Sequence, residues 1–318
     1  MNEETHPPAV LDSVRELLRR TFAFYREHWR PFFVVGIISL LPTVLEIGMT
    51  GTVSENPGLL VQTFQTILSV VLYATLLVIV IDGTVSFSKL NTRAGSYLYV
   101  TTVSLLAGVS PVVFLLIAAL LVVTVGPTFP ALIPIAVTIG VILFVVCAVY
   151  LFTCFGYSVY LIFTEDKRGA GAVAASWFYV EGLFWEIFGR YILFWLLLAV
   201  INIAISIPFL FAGTAIASLF ATFFQYFFST PITLRYSYEI YKNLRTAKHD
   251  DPLRADREAV LRKRAVALAI IGLVAFPTTL VVGTVMLEGY AAIHPYTVQV
   301  KLDPANVLSS VRAYIGAH

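Results

Sequence analysis

"AASWFYVEGLFWEIFGRYILFWLLLAV", residues 174–200, runs from an aromatic, lightly charged lead-in straight into an apolar stretch, and no charged residue then occurs until Arg235. A helix needs about 20 apolar residues to cross hydrocarbon, so this charge-free run holds two crossings. "FLFAGTA" divides them, where Gly213 can end a helix. An echo of the lead-in, "FAFYREHWRPFF", stands at residues 22–33, and both copies carry Phe-Tyr-x-Glu followed by Trp-x-x-Phe. Trp and Tyr favour the headgroup level. Trp29, Trp177 and Trp185 therefore read as interfacial anchors, and 172–190 as an interfacial segment ahead of its span.

The rest of the chain agrees with that reading. Hydrophobic residues make up 58% and charged residues 13% of the 318, against the roughly 45–50% and 25% of soluble domains. Seven spans are predicted, at 31–50, 66–88, 101–125, 131–162, 191–212, 214–240 and 265–287, which makes an all-α integral membrane protein. A helix that continues from 131 to 162 exceeds the hydrocarbon thickness, so Tyr157 to Thr164 should project beyond it. No short apolar signal run with a small-residue cleavage site opens the chain.

Ahead of the first span, Leu11, Val14, Leu18, Phe22, Tyr25 and Trp29 recur at helical spacing with arginines between them. Ser13-x-x-Glu16 is a capping box that would open this amphipathic helix within residues 1–30. Asp251 and Pro252 are suited to start a basic linker helix over 246–264 that runs on into the seventh span. The tail, 288–318, alternates like a strand at "YTVQVKL", and Asp303-Pro304 then opens a short amphipathic helix. Too small to fold alone, the tail is a candidate contact for a membrane-protein partner.

Basic residues give the orientation. Nineteen Lys and Arg fall before span one and in the loops after spans two, four and six, against two in the tail and none in the remaining loops. The positive-inside rule then puts the N-terminus in the cytoplasm and the C-terminus outside. Arg262, Lys263 and Arg264, just inside the seventh span, could hold anionic lipid headgroups. Nothing else in the chain points to nucleic acid.

Ionisable and amide groups within spans are the usual pointers to function. Glu46 and Asp82 fall near opposite ends of spans one and two, too far apart in depth to act as a carboxylate pair. Asn202 and Gln225 lie near the middle of spans five and six, where amides can bond across helices. Six prolines recur in the spans (Pro42, Pro111, Pro134, Pro208, Pro231, Pro277) and should kink them. Cys147 and Cys154, seven apart on one helix, are beyond disulfide reach. The five histidines are scattered without ligand spacing, and no nucleophile elbow or phosphate loop is present. No metal, cofactor or catalytic residue is predicted.

"TEDKRGAGAVAASWFYVEGLFWEIFGRYILFWLLLAV", residues 164–200, resembles the central region of a broad family of prokaryotic membrane proteins related to the membrane region attached to some glycerophosphodiester phosphodiesterases. Glu165, Ala172, Ser176, Trp177, Gly182 and Trp185 match the pattern, and "TPITLRYSYEIYKNLR", residues 230–245, is similar to its sixth-helix ending. Ala175 replaces the usual basic residue, and the seventh span and tail are additions. The resemblance implies a six-helix core with surface helices in a prokaryotic cytoplasmic membrane. It transfers no hydrolase activity, since no such domain is present. Two functional readings are open: a non-enzymatic accessory subunit, scaffold or envelope-organising factor, or a transporter or lipid-translocating protein using kinked helices and intramembrane carboxylates.

Overall fold

The computed structural model describes residues 11–50, 59–125, 128–129, 131–211, 213–248 and 253–293. Regular structure there is helical throughout. Seven helical stretches are long and apolar enough to cross a membrane: Trp29–Gly48, Leu60–Asp82, Phe87–Thr124, Leu132–Thr164, Phe184–Phe209, Ala215–Ala247 and Ala255–Thr284. The chain is an all-α, multi-pass membrane protein. The tail's strand and helix and the Asp251–Pro252 cap lie outside the described residues.

In chain order the helices are α1 (Val14–Glu27), α2 (Trp29–Ile38), α3 (Leu41–Thr50), α4 (Leu59–Asp82), α5 (Phe87–Val109), α6 (Val112–Thr124) and α7 (Leu132–Phe155). There follow α8 (Ser158–Thr164), α9 (Ala170–Val180), α10 (Phe184–Ser206), α11 (Thr214–Phe224), α12 (Thr230–Ala247) and α13 (Ala255–Ile293). A π-helical turn, Gln225–Ser229, joins α11 to α12. Two compact units are present, one drawn from Met1–Gly108 and Ala148–Ala269, the other from Val109–Cys147 and Ile270–His318.

In the larger unit α12 is the hub, packed by α1, by α4 and by the π-turn. α1 begins as its capping box requires, with Ser13 Oγ accepting from the Glu16 N–H at 3.3 Å. Leu17 and Thr21 are buried, and Leu18, Phe22 and Tyr25 pack against the same core. The amphipathic face of α1 therefore rests on protein.

Several predicted boundaries change. The third span begins at Phe87 and runs for 38 residues, about 57 Å at 1.5 Å per residue, with a break at Ser110–Pro111. Pro111 cannot donate to the carbonyl four residues back. The fourth is interrupted at Gly156–Tyr157, and α8, which follows, is enclosed by protein: Tyr160, Leu161, Ile162 and Phe163 are all buried. Within the segment 172–190, α9 is enclosed by protein. α9 is buried along most of its length because its alanines present no polar face and pack closely on α8 and α12. Trp177 is half-buried with its ring edge-on to Phe155 at 5.6 Å. Trp29 and Trp185 are 45% and 76% exposed.

The π-turn shows how a proline is accommodated. Pro231 has no N–H for the carbonyl of Phe227 four residues earlier. The Tyr25 hydroxyl, 202 residues away in sequence, donates to that oxygen at 3.1 Å. Burial pushes the Tyr25 phenol above its ordinary range, so it stays a donor. α2 lies against the same turn at Gly36, where an added Cβ would stand 3.0 Å from Phe223 Cε2 and from Phe227 Cβ.

In the smaller unit, α6 meets the first part of α7 through small residues. A Cβ on Gly140 would stand 2.6 Å from Ala118 Cβ, the close approach by which membrane helices associate.

The Tyr25–Phe227 bond predicts a coupled pair of substitutions. Tyr25→Phe should lower unfolding stability in detergent by about 1 kcal/mol. In a Pro231→Ala background, which restores the backbone donor, the same change should cost little. Equal costs in both backgrounds would refute the capping role.

Candidate functional site

Two features stand out in the larger unit, a charged lock around α12 and a cleft beside α4. The lock follows from the polar stripe of "RYSYEIYKNLR" on one face of α12. Glu239, 1% exposed, meets Arg235 Nη2 at 2.6 Å and Lys242 Nζ at 2.7 Å. Arg235 Nη1 donates to the Val80 carbonyl at 2.6 Å, one of the last four carbonyls of α4, which have no partner within their own helix. Its guanidinium also covers the Phe24 ring of α1 at 3.8 Å. One arginine thus ties α1, α4 and α12 together.

Other helix ends close in the same way. Arg93 donates to the Ile162 carbonyl in the last turn of α8. Ser176 Oγ donates to the Cys154 carbonyl at the end of α7 at 2.6 Å. Arg190 donates to the Leu11 and Asp12 carbonyls at 2.8 and 3.0 Å, fixing the approach to α1. Glu165 accepts from the Tyr241 and Tyr179 hydroxyls at 2.7 and 3.2 Å and lies 3.4 Å from Arg245. Burial and the adjacent Glu165 carboxylate push the Tyr179 phenol up to about 12, keeping it a donor at any physiological pH.

The cleft lies where α4 and α5 part. The two are joined by a turn at Gly83 (φ +78°) and stapled there by Lys89 Nζ on Asp82 at 2.7 Å. Away from the turn they do not pack side by side. Two cavities of about 410 and 480 Å³ share Val70 and Tyr97 as a common wall, each in the size range of small-molecule sites. The first is lined by α4, α5 and Phe163 and is almost wholly apolar. The second adds the hydroxyls of Ser69, Tyr73, Thr101, Ser104, Ser158 and Tyr226. Tyr97, Phe155 and Phe163 form a buried back wall, while Val71, Leu98 and Leu105, each more than 50% exposed, mark a lateral mouth. Neither cavity is lined by Asp, Glu, Lys or Arg.

None of the residues singled out from sequence lines this cleft. Glu46 is buried on α3, which packs against α4 and α11. Asp82 serves the α4–α5 staple. The expected Asn202–Gln225 contact does not form. Asn202 Oδ1 instead accepts from Ser229 Oγ at 3.2 Å, and Gln225 Nε2 bonds Thr230 Oγ1 at 3.0 Å, because the π-turn shifts the helical register of the residues after it. Arg262 and Lys263 are exposed. Arg264 borders a third cavity with Arg254, Arg257 and Glu181, where Arg257 pairs Glu181 at 2.8 Å. Cys147 and Cys154 are free thiols, and no group of three His, Cys, Asp or Glu could hold a metal among the described residues. The cleft hydroxyls do carry a faint signal: Tyr97, Thr101 and Ser104, and Ser69 and Tyr73, recur at helical spacing on α5 and α4.

No family model, curated protein or solved structure matches the chain.

Removing one partner of a buried ion pair costs about 3–5 kcal/mol. Glu239→Ala should therefore lower stability by that order, with Arg235→Ala less damaging in the Glu239→Ala background than alone. Additive losses would show that the two side chains do not act as a pair.

Proposed function

We propose that the protein is a non-enzymatic membrane protein that takes up a bilayer lipid through the lateral mouth of the α4–α5 cleft. The observation that carries this is a pair of adjoining, charge-free cavities whose mouth is bordered by exposed apolar residues. Such a site suits lipid binding or translocation, the second of the two readings drawn from sequence. It moves the burden of that reading from Glu46 and Asp82 to the cleft walls. The accessory-subunit reading keeps its sequence support in the patterned tail at 288–318. The resemblance of 164–200 to the membrane region of the phosphodiesterase-linked proteins favours neither reading, since its residues Glu165 and Ser176 hold the tyrosines of α9 and α12 and the α7 end.

The positive-inside count supports a cytoplasmic N-terminus and an outside C-terminus in a prokaryotic cytoplasmic membrane. Arg262, Lys263 and Arg264 would then meet the anionic inner leaflet.

Ala94 lines the first cavity from an exposed position on α5, so a large side chain there fills the cleft without disturbing the core. Native mass spectrometry of the full chain, extracted in mild detergent, should show a retained lipid that Ala94→Trp largely abolishes while elution stays monodisperse. Retention unaffected by the plug, or no retained lipid at all, would remove the reading.

Orientation has its own test. With Cys147 and Cys154 replaced by Ala, a Ser13→Cys chain in right-side-out vesicles should react with an impermeant maleimide only after the vesicles are opened. Reaction in intact vesicles would reverse the topology.

A further inference from the structure

The cleft also carries information about which lipid it takes, an inference that rests on the cleft being a lipid site. Charge and hydrogen bonding decide it. A phosphate or ammonium group drawn into these cavities would find no counter-ion on their walls, and an uncompensated charge at membrane depth costs several kcal/mol. A phospholipid could therefore place an acyl chain here but not its headgroup.

The walls do offer hydroxyl groups: Thr101 lies against the Tyr97 phenol, and the other five divide into two sets. Ser158 Oγ donates to the Phe155 carbonyl at 2.6 Å and lies 3.2 Å from Ser104 Oγ, so this pair is already engaged within the protein. The Ser69, Tyr73 and Tyr226 side chains border the same cavity and make no hydrogen bond among the described residues. Tyr73 is 39% exposed as a residue and lines this cavity one helical turn from the shared wall residue Val70. A phenol in hydrocarbon without a partner is poorly placed, because its lost hydrogen bonds to water are not replaced. Tyr73 and Tyr226 enter the cavity from different elements, α4 and the π-turn. The cavity is thus a seat that can both donate to and accept from a neutral polar group, beside an apolar chamber of similar size.

We infer that the occupant is an uncharged lipid carrying a hydroxyl at its polar end, with that end among Ser69, Tyr73 and Tyr226 and an apolar part in the chamber bounded by Val71, Ala94 and Leu98. A diacylglycerol has this chemistry and is the probe of choice.

The full chain would be reconstituted into phosphatidylcholine vesicles containing either a diazirine-bearing diacylglycerol or phosphatidylglycerol with the same diazirine chain, irradiated, and mapped by peptide mass spectrometry. Diacylglycerol should label α4 around residues 69–75 and α5 around 94–105. The double variant Tyr73→Phe, Tyr226→Phe should reduce that labelling about fivefold or more, the effect of losing a hydrogen bond or two, and leave phosphatidylglycerol labelling unchanged. The two phenylalanines keep the rings in place, so packing alone would not move the readout. Equal labelling by both probes, insensitive to the tyrosines, would overturn the neutral-lipid assignment and leave the lipid-site reading standing. Labelling of neither segment by either probe, or self-crosslinking of two copies through the cleft, would overturn both.

Discussion

A helix that stops inside or at the edge of an apolar layer leaves its last carbonyls without partners, and hydrocarbon supplies none. That constraint organises the larger unit. The carbonyl of Val80 is met by Arg235, that of Ile162 by Arg93, that of Cys154 by Ser176, and that of Phe227, deprived of its donor by Pro231, by Tyr25. Each donor comes from a different helix from the one it closes. Finishing a helix end and joining two helices are therefore the same event, and α12 becomes the hub because it supplies the arginine that closes α4 and holds the glutamate that pairs with it.

The same economy explains the cleft. α4 is fixed at its lower end by Arg235 and by the Lys89–Asp82 staple, and it packs on α12 and α8. α5 is held by Arg93 at α8 and by the short turn at Gly83, with no pin farther along α4. Among the described residues the two helices make few contacts beyond the turn, and the hydroxyls along their facing sides close no helix end. A space that is lined, laterally open and free of charge is the result.

Several residues gain meaning only when these two features are set side by side. Arginines 93, 190 and 235, which sequence reading counts as topology signals, are also the pins of the lock. Glu165 and Ser176, which carry the family resemblance, hold the tyrosines of α9 and α12 and the end of α7. Asp82, singled out as an intramembrane carboxylate, pairs with Lys89 at the α4–α5 turn, and Trp177, singled out as a headgroup anchor, packs its half-buried ring on Phe155.

The sequence alone determined the fold class and the number of spans, because crossing hydrocarbon requires about 20 residues without charge, a property of consecutive residues that composition and length express directly. The start of α1 was equally legible, since a capping box acts within four residues. Tertiary structure decided the rest. The burial of α8 and α9, the exchange of Gln225 for Ser229 opposite Asn202, the closing of one helix's carbonyls by another's side chain, and the cleft itself all depend on groups tens to hundreds of residues apart. Hydroxyl side chains in an apolar run look alike in sequence whether they bond their own backbone, a neighbouring helix or an open cavity. Only packing separates them, because a hydrogen bond is settled by distance and direction in space, and the order of residues fixes neither beyond a turn or two of helix.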